Sequence, residues 1–180
     1  KSTVPPYTCP AWPCMYTGRN PGAHGVMSFR LIEPGTIEGH AATLRDVSAQ
    51  RLWTVLNRAG LRTGIFNVPI TYPAEDVDGF MVSGFVTPPN AAHGVTPDAG
   101  AKAFAAAMPE YDFNGPTTSE GTWGLGRHQR QEYLQSLDRA LVERQKALAW
   151  LLDHTPVDFL WVVLETIDRI SHRAYGYLAP

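Results

Sequence analysis

The spacing of apolar side chains predicts a helix over residues 48–59 and a strand over residues 61–68. Apolar residues recur three and four positions apart in the first segment, with Ser48 suited to its N-cap and Gly60 to the turn that ends it. The second segment stops at a proline, which cannot continue a central strand. A further short strand is predicted over residues 80–86. A helix that leads directly into a strand is typical of α/β proteins.

A stripe of leucines predicts a long amphipathic helix over residues 129–152, about 35 Å long at 1.5 Å per residue. The run over residues 158–164 follows it and is almost entirely apolar, which predicts a central parallel strand buried on both faces. Ligands of open α/β sheets bind at the carboxyl ends of the strands, so the residues after this strand mark the expected site. The leucines of the stripe are Leu134, Leu137, Leu141, Leu148 and Leu151.

Two stretches rich in proline and glycine lie outside this pattern. The proline and glycine content of residues 1–25 predicts turns around one short apolar segment. Residues 88–126 predict a surface excursion or a lid, with one short helix over residues 101–107. We interpret residues 1–180 as one domain, and we expect the excursion to contribute to substrate specificity.

Composition and charge narrow the class of protein. Hydrophobic residues make up 44% of the 180 positions, which is typical of a folded domain with a core of its own. The formal net charge of −2 offers no basic surplus for a nucleic-acid polymer, and the longest apolar run is far too short to span a membrane. Two cysteines, Cys9 and Cys14, are too few for a disulfide framework or a metal site of their own.

Candidate chemistry follows the last predicted strand, where Asp168 and His172 lie four positions apart. On a helix the two side chains share one face and can converge on one metal ion. A carboxylate oxygen with an imidazole nitrogen suits zinc or another first-row divalent ion. The alternative is a plain surface contact between an acid and a histidine; the position after a buried strand favours the metal site.

A second candidate lies near the start of the chain, where Thr8 precedes a proline that can begin a short helix. The N-terminus of a helix favours anionic ligands and a developing alkoxide. A threonine hydroxyl is a weak nucleophile at neutral pH, and since no histidine is adjacent in sequence, activation by a metal ion is the simplest route. From the residues alone, a role for Thr8 as a helix cap is favoured. Asn67 and Tyr72 follow a strand end and are either substrate-binding or turn residues.

The run from Thr8 to Val26 has the form T-x-P-x-W-x-x-x-x-T-G-x-N-P-x-x-H-G-V. It resembles the nucleophile segment of the alkaline phosphatase superfamily, and most of all that of its type I phosphodiesterase/nucleotide pyrophosphatase branch. Residues 66–85 and the segment from Asp158 to His172 resemble prokaryotic members of the same branch. Three blocks in the right order span nearly the whole chain, which argues against chance similarity.

The resemblance implies an alkaline-phosphatase-like α/β/α sandwich with a mostly parallel sheet, of which residues 1–180 form an incomplete catalytic domain. It implies that Thr8 is the nucleophile, forms a phosphothreonine intermediate and binds one metal ion, while Asp168 and His172 bind a second ion. Family members use two divalent ions, usually zinc, to cleave phosphate mono- or diesters, and ions about 4 Å apart clamp the phosphoryl group between them. His24 belongs to the motif and is expected to be structural. The implied partner is a small-molecule phosphoester.

The sequence also departs from the family's pattern. The remaining metal ligands, an Asp-Gly upstream and an Asp-His with a final His downstream, fall outside residues 1–180, so the chain is expected to be an internal fragment with little activity by itself. Phe29 stands near the position where nucleotide pyrophosphatases carry an asparagine that holds a phosphate oxygen. Two alternatives stay open: a non-catalytic binding scaffold that retains the fold, and a sulfatase-like hydrolase, which needs Cys or Ser where Thr8 stands.

Overall fold

The computed structural model describes residues 2–33, 35–88, 91–116 and 127–178. These residues form a mixed α/β fold, with a four-stranded sheet between two layers of helices and a separate two-stranded hairpin. The helices are α1 (Thr8–Thr17), α2 (Pro21–His24), α3 (Leu52–Arg58), α4 (Asp98–Ala107), α5 (Arg127–His154) and α6 (Thr166–Leu178), with a 3₁₀ turn at Leu44–Asp46. The strands are β1 (Arg30–Ile32), β2 (Gly39–Ala41), β3 (Thr63–Val68), β4 (Gly79–Ser83), β5 (Val95–Thr96) and β6 (Phe159–Val162).

The strand order in the larger sheet is β5-β4-β3-β6. β3 is parallel to both of its neighbours, with Thr63 paired to Gly79 of β4 and to Phe159 of β6. The short β5 runs antiparallel to β4. The three parallel strands place their carboxyl ends at one edge of the sheet, where α/β proteins bind their ligands. The predicted α/β class with a mostly parallel sheet is therefore confirmed.

Side chains that alternate along β3 enter two separate hydrophobic cores. Ile65 belongs to the core that contains Cys9 of α1 and Trp53 of α3. Phe66 belongs to the core that contains Phe104 of α4 and residues of α5. Successive residues of a strand point to opposite faces, so the sheet is the middle layer of three. Burial of β3 and β4 is complete along their whole length.

The helix predicted over residues 48–59 is confirmed in part. It begins at Leu52, with Arg51 rather than Ser48 at the N-cap, and Gly60 follows its end with a φ of 79°, as expected for the stop. The Ser48 hydroxyl donates instead to the carbonyl of Ala23 at 3.4 Å. The prediction of Ser48 as the cap is wrong because a contact with α2 engages this side chain.

The central position predicted for residues 158–164 is also wrong. β6 lies at the edge of the sheet and is paired with β3 alone among the described residues. The burial predicted for both faces is wrong as well, because Leu160 on this strand is 38% exposed. An apolar run predicts that the faces of a strand are covered, but it carries no information about how many neighbours the strand has.

The long helix predicted over residues 129–152 is confirmed as α5, and its leucine stripe faces the protein except at Leu134. Leu134 is 47% exposed, whereas Tyr133 and Leu137 are buried. Arg144 also lies on the buried face and is only 2% exposed. A guanidinium at that depth needs an oppositely charged partner. Within the described ranges, neither α5 nor any other helix combines the length and the apolar character needed to cross a membrane.

The described part of the excursion contributes regular structure to the fold. The short helix predicted over residues 101–107 is confirmed as α4, which starts earlier, at Asp98. Phe104 is buried in the core shared with α5. Residues 117–126 lie outside the described residues, and a lid function for residues 88–126 stays a prediction.

The chain that leaves β4 passes close to the end of β3 at Gly84. A Cβ atom on Gly84 would lie 2.4 Å from the carbonyl oxygen of Asn67. The pairing of the two strands is irregular between Phe66 and Val68, and Asn67 has a φ of 60°. Irregular pairing of this kind is frequent next to functional sites.

Gly84→Ala is expected to lower the free energy of unfolding by roughly 3 kcal/mol, because the added methyl group meets backbone atoms of β3. Gly100→Ala is the matched control. Gly100 lies inside α4 with the nearest atom 3.8 Å from its Cβ position, so alanine should stabilise the chain by about 0.5–1 kcal/mol. Urea denaturation of both variants measures the two changes. An unchanged midpoint for Gly84→Ala would contradict the close approach of the two strands.

Candidate functional site

The residues that follow the three parallel strands define the candidate site. Asn67 lies at the end of β3, Phe85 follows β4 and Glu165 follows β6. α6, which carries the two predicted metal ligands, begins one residue after Glu165. The predicted position of the site, at the carboxyl edge of the sheet, therefore coincides with a concentration of polar and aromatic side chains.

Thr8 is the first residue of α1, and its side chain is exposed. Tyr7 occupies the N-cap, so the interpretation of Thr8 as the helix cap is wrong. The first amide groups of a helix have no partner within it, and Pro10 carries no amide hydrogen. Among the described residues the first-turn N–H groups of Thr8 and Cys9 have no backbone acceptor, and they lie beside the hydroxyl at the positive end of the helix dipole.

Core contacts fix α1 against the sheet. Cys9 is fully buried, and the hydroxyl of Tyr16 donates to the carbonyl of Ile70 at 3.1 Å. The ring of Trp12 lies 6.5 Å from the ring of Trp161 on β6. The position of the exposed hydroxyl at the start of α1 is therefore set by the packing of this helix on the sheet.

A row of aromatic contacts joins the start of α1 to the start of α6. Tyr7, which precedes the predicted nucleophile, has its ring 6.0 Å from that of Phe29, and Phe29 lies 5.9 Å from Phe85. The guanidinium carbon of Arg169 lies 5.8 Å from the centre of the Phe85 ring. Residues adjacent to both candidate groups thus belong to one continuous set of contacts. A common pocket for the two groups stays a prediction.

The carboxylate of Asp168 and the ring of His172 lie together on α6, with Oδ1 3.6 Å from Nε2. The side chains are 72% and 71% exposed. A carboxylate and an imidazole open to solvent side by side fit two of the four ligands of a zinc ion. The described parts of the chain hold no group of three or more His, Cys, Asp or Glu side chains that could bind a metal. Metal binding by the pair stays a prediction.

The geometry of this pair is not unusual within the chain. His128 and Glu132 are also four positions apart, on α5, with Nδ1 3.4 Å from Oε2 and both side chains exposed. Exposed pairs of this kind contribute little to stability. The feature that distinguishes Asp168 and His172 is their position, because they follow the carboxyl end of a parallel strand.

Glu165 is the centre of a buried polar cluster behind the candidate site. Arg144 donates to both carboxylate oxygens, from Nη2 at 2.5 Å and from Nε at 3.1 Å. The amide nitrogen of Asn67 donates to Glu165 at 2.6 Å and to the carbonyl of Val163 at 2.8 Å. Charge-assisted hydrogen bonds of this type are among the strongest in proteins. The cluster ties β3, α5 and the start of α6 together.

The two predicted substrate-binding residues have different surroundings. Asn67 is 2% exposed, its amide nitrogen belongs to the cluster around Glu165, and its Oδ1 has no hydrogen-bond partner among the described residues. Tyr72 is half-buried in the loop after β3, and its carbonyl accepts the N–H of Leu44 at 2.7 Å. Contact of either residue with substrate stays a prediction.

The sequence contains a signal for only part of the polar cluster. Arg144 lies three positions after Leu141 and four before Leu148, so it falls on the apolar stripe of α5, where an unpaired charge is costly. Glu165 directly follows an apolar strand, which also marks it. The pairing of Glu165 with Arg144 depends on how α5 packs on the sheet, and no local pattern predicts that.

Cys9 lies next to the predicted nucleophile but is unsuited to nucleophilic attack. Burial raises the pKa of its thiol to about 11, whereas reactive cysteines have a lowered pKa. This weakens the sulfatase-like alternative. His24 is fully buried, its Nε2 lies 3.3 Å from Sγ of Cys14, and its Nδ1 accepts the N–H of Val26 at 3.1 Å. Burial lowers the pKa of this ring, which supports the structural role expected for it.

Cys9 is expected to react with a thiol reagent at pH 8 only after unfolding. With a pKa of about 11, roughly one molecule in a thousand carries the reactive thiolate at that pH, and the side chain is buried as well. Cys14 is partly exposed and should react first. The rate of reaction with the thiol reagent is measured for native and for denatured protein. Cys14→Ser is the control, because Cys9 is then the one cysteine that remains. Equal rapid reaction of both thiols in the native protein would contradict the burial of Cys9.

The chain matches the family described as "Type I phosphodiesterase / nucleotide pyrophosphatase" over residues 1–177. No curated protein and no solved structure gives a significant match. The match covers almost the whole chain, including the segment that begins α1 and the segment after β6, and it confirms the resemblance of the three sequence blocks. The chain therefore belongs to the type I phosphodiesterase/nucleotide pyrophosphatase family of hydrolases, within the alkaline phosphatase superfamily.

Proposed function

We propose that this protein is a hydrolase that cleaves small phosphate mono- or diesters through a phosphothreonine intermediate on Thr8. The observation that carries the proposal is the exposed hydroxyl of Thr8 at the first residue of α1, beside amide groups that have no partner within the helix. That end of a helix attracts the negative charge of a phosphoryl group. Membership in a family of phosphodiesterases and nucleotide pyrophosphatases supports the reaction class.

The reaction takes place in two displacements at phosphorus. In the first, Oγ1 of Thr8 forms a bond to phosphorus, the bond from phosphorus to the leaving oxygen breaks, and that oxygen takes up a proton and departs as an alcohol. The hydroxyl proton of Thr8 passes to solvent. In the second, water attacks phosphorus, the bond to Oγ1 breaks and Thr8 regains a proton. The first-turn amides of α1 donate to the phosphoryl oxygens in both steps.

Two divalent ions of the zinc type are part of the proposal. Asp168 and His172 would hold one ion, and Thr8 would contact the other. Bound ions lower the pKa of a coordinated hydroxyl and offset the charge of the phosphoryl group. The chemistry of the donors supports this assignment, because a carboxylate oxygen and an imidazole nitrogen 3.6 Å apart are common zinc ligands.

Phe29 stands near the position where nucleotide pyrophosphatases carry a phosphate-binding asparagine, which weakens a nucleotide as the substrate and leaves other phosphoesters open. The ring of Phe29 lies between the rings of Tyr7 and Phe85, at 6.0 and 5.9 Å. An aromatic ring in this position offers apolar surface, and it cannot replace the asparagine that nucleotide pyrophosphatases use to hold a phosphate oxygen. The net charge of −2 likewise argues against a nucleic-acid polymer as substrate.

Thr8→Ala is expected to reduce the hydrolysis of p-nitrophenyl phosphodiesters by roughly a thousandfold or more, because no oxygen is left to attack phosphorus. Zinc content should be largely retained, since Asp168 and His172 are unchanged. Thr8→Ser keeps the hydroxyl and is the matched control, with activity within about tenfold of the wild type. Release of p-nitrophenol by the full-length protein measures the loss of activity, and zinc analysis measures the metal content. Undiminished turnover by Thr8→Ala would exclude it as the nucleophile.

His172→Ala is expected to remove about one zinc ion per molecule, because the imidazole is one of the two ligands proposed on α6. His128→Ala is the matched control, since His128 also forms an exposed pair with a carboxylate four positions away. Zinc is counted after dialysis against a weak chelator. Equal zinc content in the two variants would remove His172 from the ligand set.

A further inference from the structure

The side chain of Arg169 makes contacts well beyond α6. Its Nη1 donates to the carbonyl of Pro116 at 3.0 Å, and its Nη2 donates to the carbonyl of Asn114. Its Nε lies 3.7 Å from Oε1 of Glu165, and the side chain is 14% exposed. The guanidinium also lies against the ring of Phe85. One largely buried guanidinium thus holds together the first turn of α6, the loop after α4 and the segment after β4.

The loop that Arg169 contacts is fixed from its other side by Asn114. Oδ1 of Asn114 accepts the N–H of Val86 at 3.0 Å, and its Nδ2 donates to the carbonyl of Thr87 at 2.6 Å. Gly115 brings the loop backbone against the polar cluster, because a Cβ atom there would lie 2.7 Å from Oε1 of Glu165. Residues 112–116 therefore lie between the segment that leaves β4 and the first turn of α6.

We propose that Arg169 is a positioning residue that locks residues 112–116 onto the first turn of α6 and thereby holds the pair of Asp168 and His172 in place for metal binding. The metal-binding part rests on the proposed function, whereas the lock does not. Adjacent side chains of α6 have opposite environments: Asp168 is 72% exposed and Arg169 is 14% exposed. The helix presents one residue to solvent and anchors itself in the protein with the next.

Replacement of Arg169 removes both a positive charge and the contacts that form the lock, and these two losses have opposite effects on metal binding. A guanidinium next to a metal ligand repels a divalent cation, so removal of that charge alone would tighten zinc binding. Loss of the lock would weaken zinc binding, since the first turn of α6 would have to be ordered when the ion binds. Arginine donates to two carbonyls at once through a planar fork, a geometry that lysine does not reproduce.

The experiment compares Arg169→Ala and Arg169→Lys with Arg139→Ala, which removes an exposed arginine from α5. Zinc affinity is measured by competition with a chromophoric chelator, and amide hydrogen exchange is followed in residues 112–116 and in β3. Arg169→Ala is expected to weaken zinc binding by about tenfold or more and to accelerate exchange in the loop by about tenfold, with β3 unchanged. Arg169→Lys should show smaller changes of the same sign, and Arg139→Ala should match the wild type.

Gly115→Ala tests the lock from the side of the loop while Arg169 stays intact. The added methyl group would lie 2.7 Å from Glu165, and the φ of 68° at this position also opposes a side chain. The variant is expected to show the same weakening of zinc binding and the same faster exchange in residues 112–116 as Arg169→Ala.

Unchanged or tighter zinc binding in Arg169→Ala would overturn the positioning role, and so would unchanged exchange in residues 112–116. Faster exchange in β3 to the same degree would show general destabilisation in place of a lock and would also overturn the proposal. If the wild type binds no zinc at all, the proposed function fails, and the exchange of residues 112–116 then decides the lock by itself.

Discussion

The buried ion pair between Arg144 and Glu165 is the interaction on which the carboxyl edge of the sheet depends. Arg144 is 2% exposed, and an unpaired guanidinium at that depth would destabilise the fold by several kcal/mol. Glu165 neutralises it with both carboxylate oxygens and also accepts a hydrogen bond from Asn67 of β3. Because Glu165 directly precedes α6, the same pair connects the start of that helix to α5. The long helix, the sheet and the segment with the candidate metal ligands are thus held at one point.

The sequence predicts the fold well where a local rule decides the structure and poorly where packing decides it. The long helix α5 and the strand β3 are confirmed, because periodicity and a terminating proline act over a few residues. Ser48 fails as a cap because its hydroxyl contacts α2, a segment more than 20 positions away. β6 is apolar throughout yet lies at an edge, since the number of its neighbours depends on the path of the rest of the chain.

The family motif predicts the candidate site better than local spacing does. Thr8 and the pair of Asp168 and His172 are exposed side chains, and the chain holds a second exposed pair of nearly the same geometry. Spacing alone therefore could not single them out, whereas three motif blocks in order could. The sequence contains no comparable signal for the contacts of Arg169. Its acceptors are the backbone carbonyls of Asn114 and Pro116, and every residue type has such a carbonyl.

The hydrogen bond from Asn114 to the carbonyl of Thr87 spans 27 positions of sequence. After β4 the chain adds β5 to the edge of the same sheet, forms α4 and returns to the segment that follows β4. A segment whose two ends touch can be lengthened, shortened or exchanged at small entropic cost and without moving its attachment points. Changes of length between β5 and α4 therefore leave the end of β4 and the loop at Asn114 where they are.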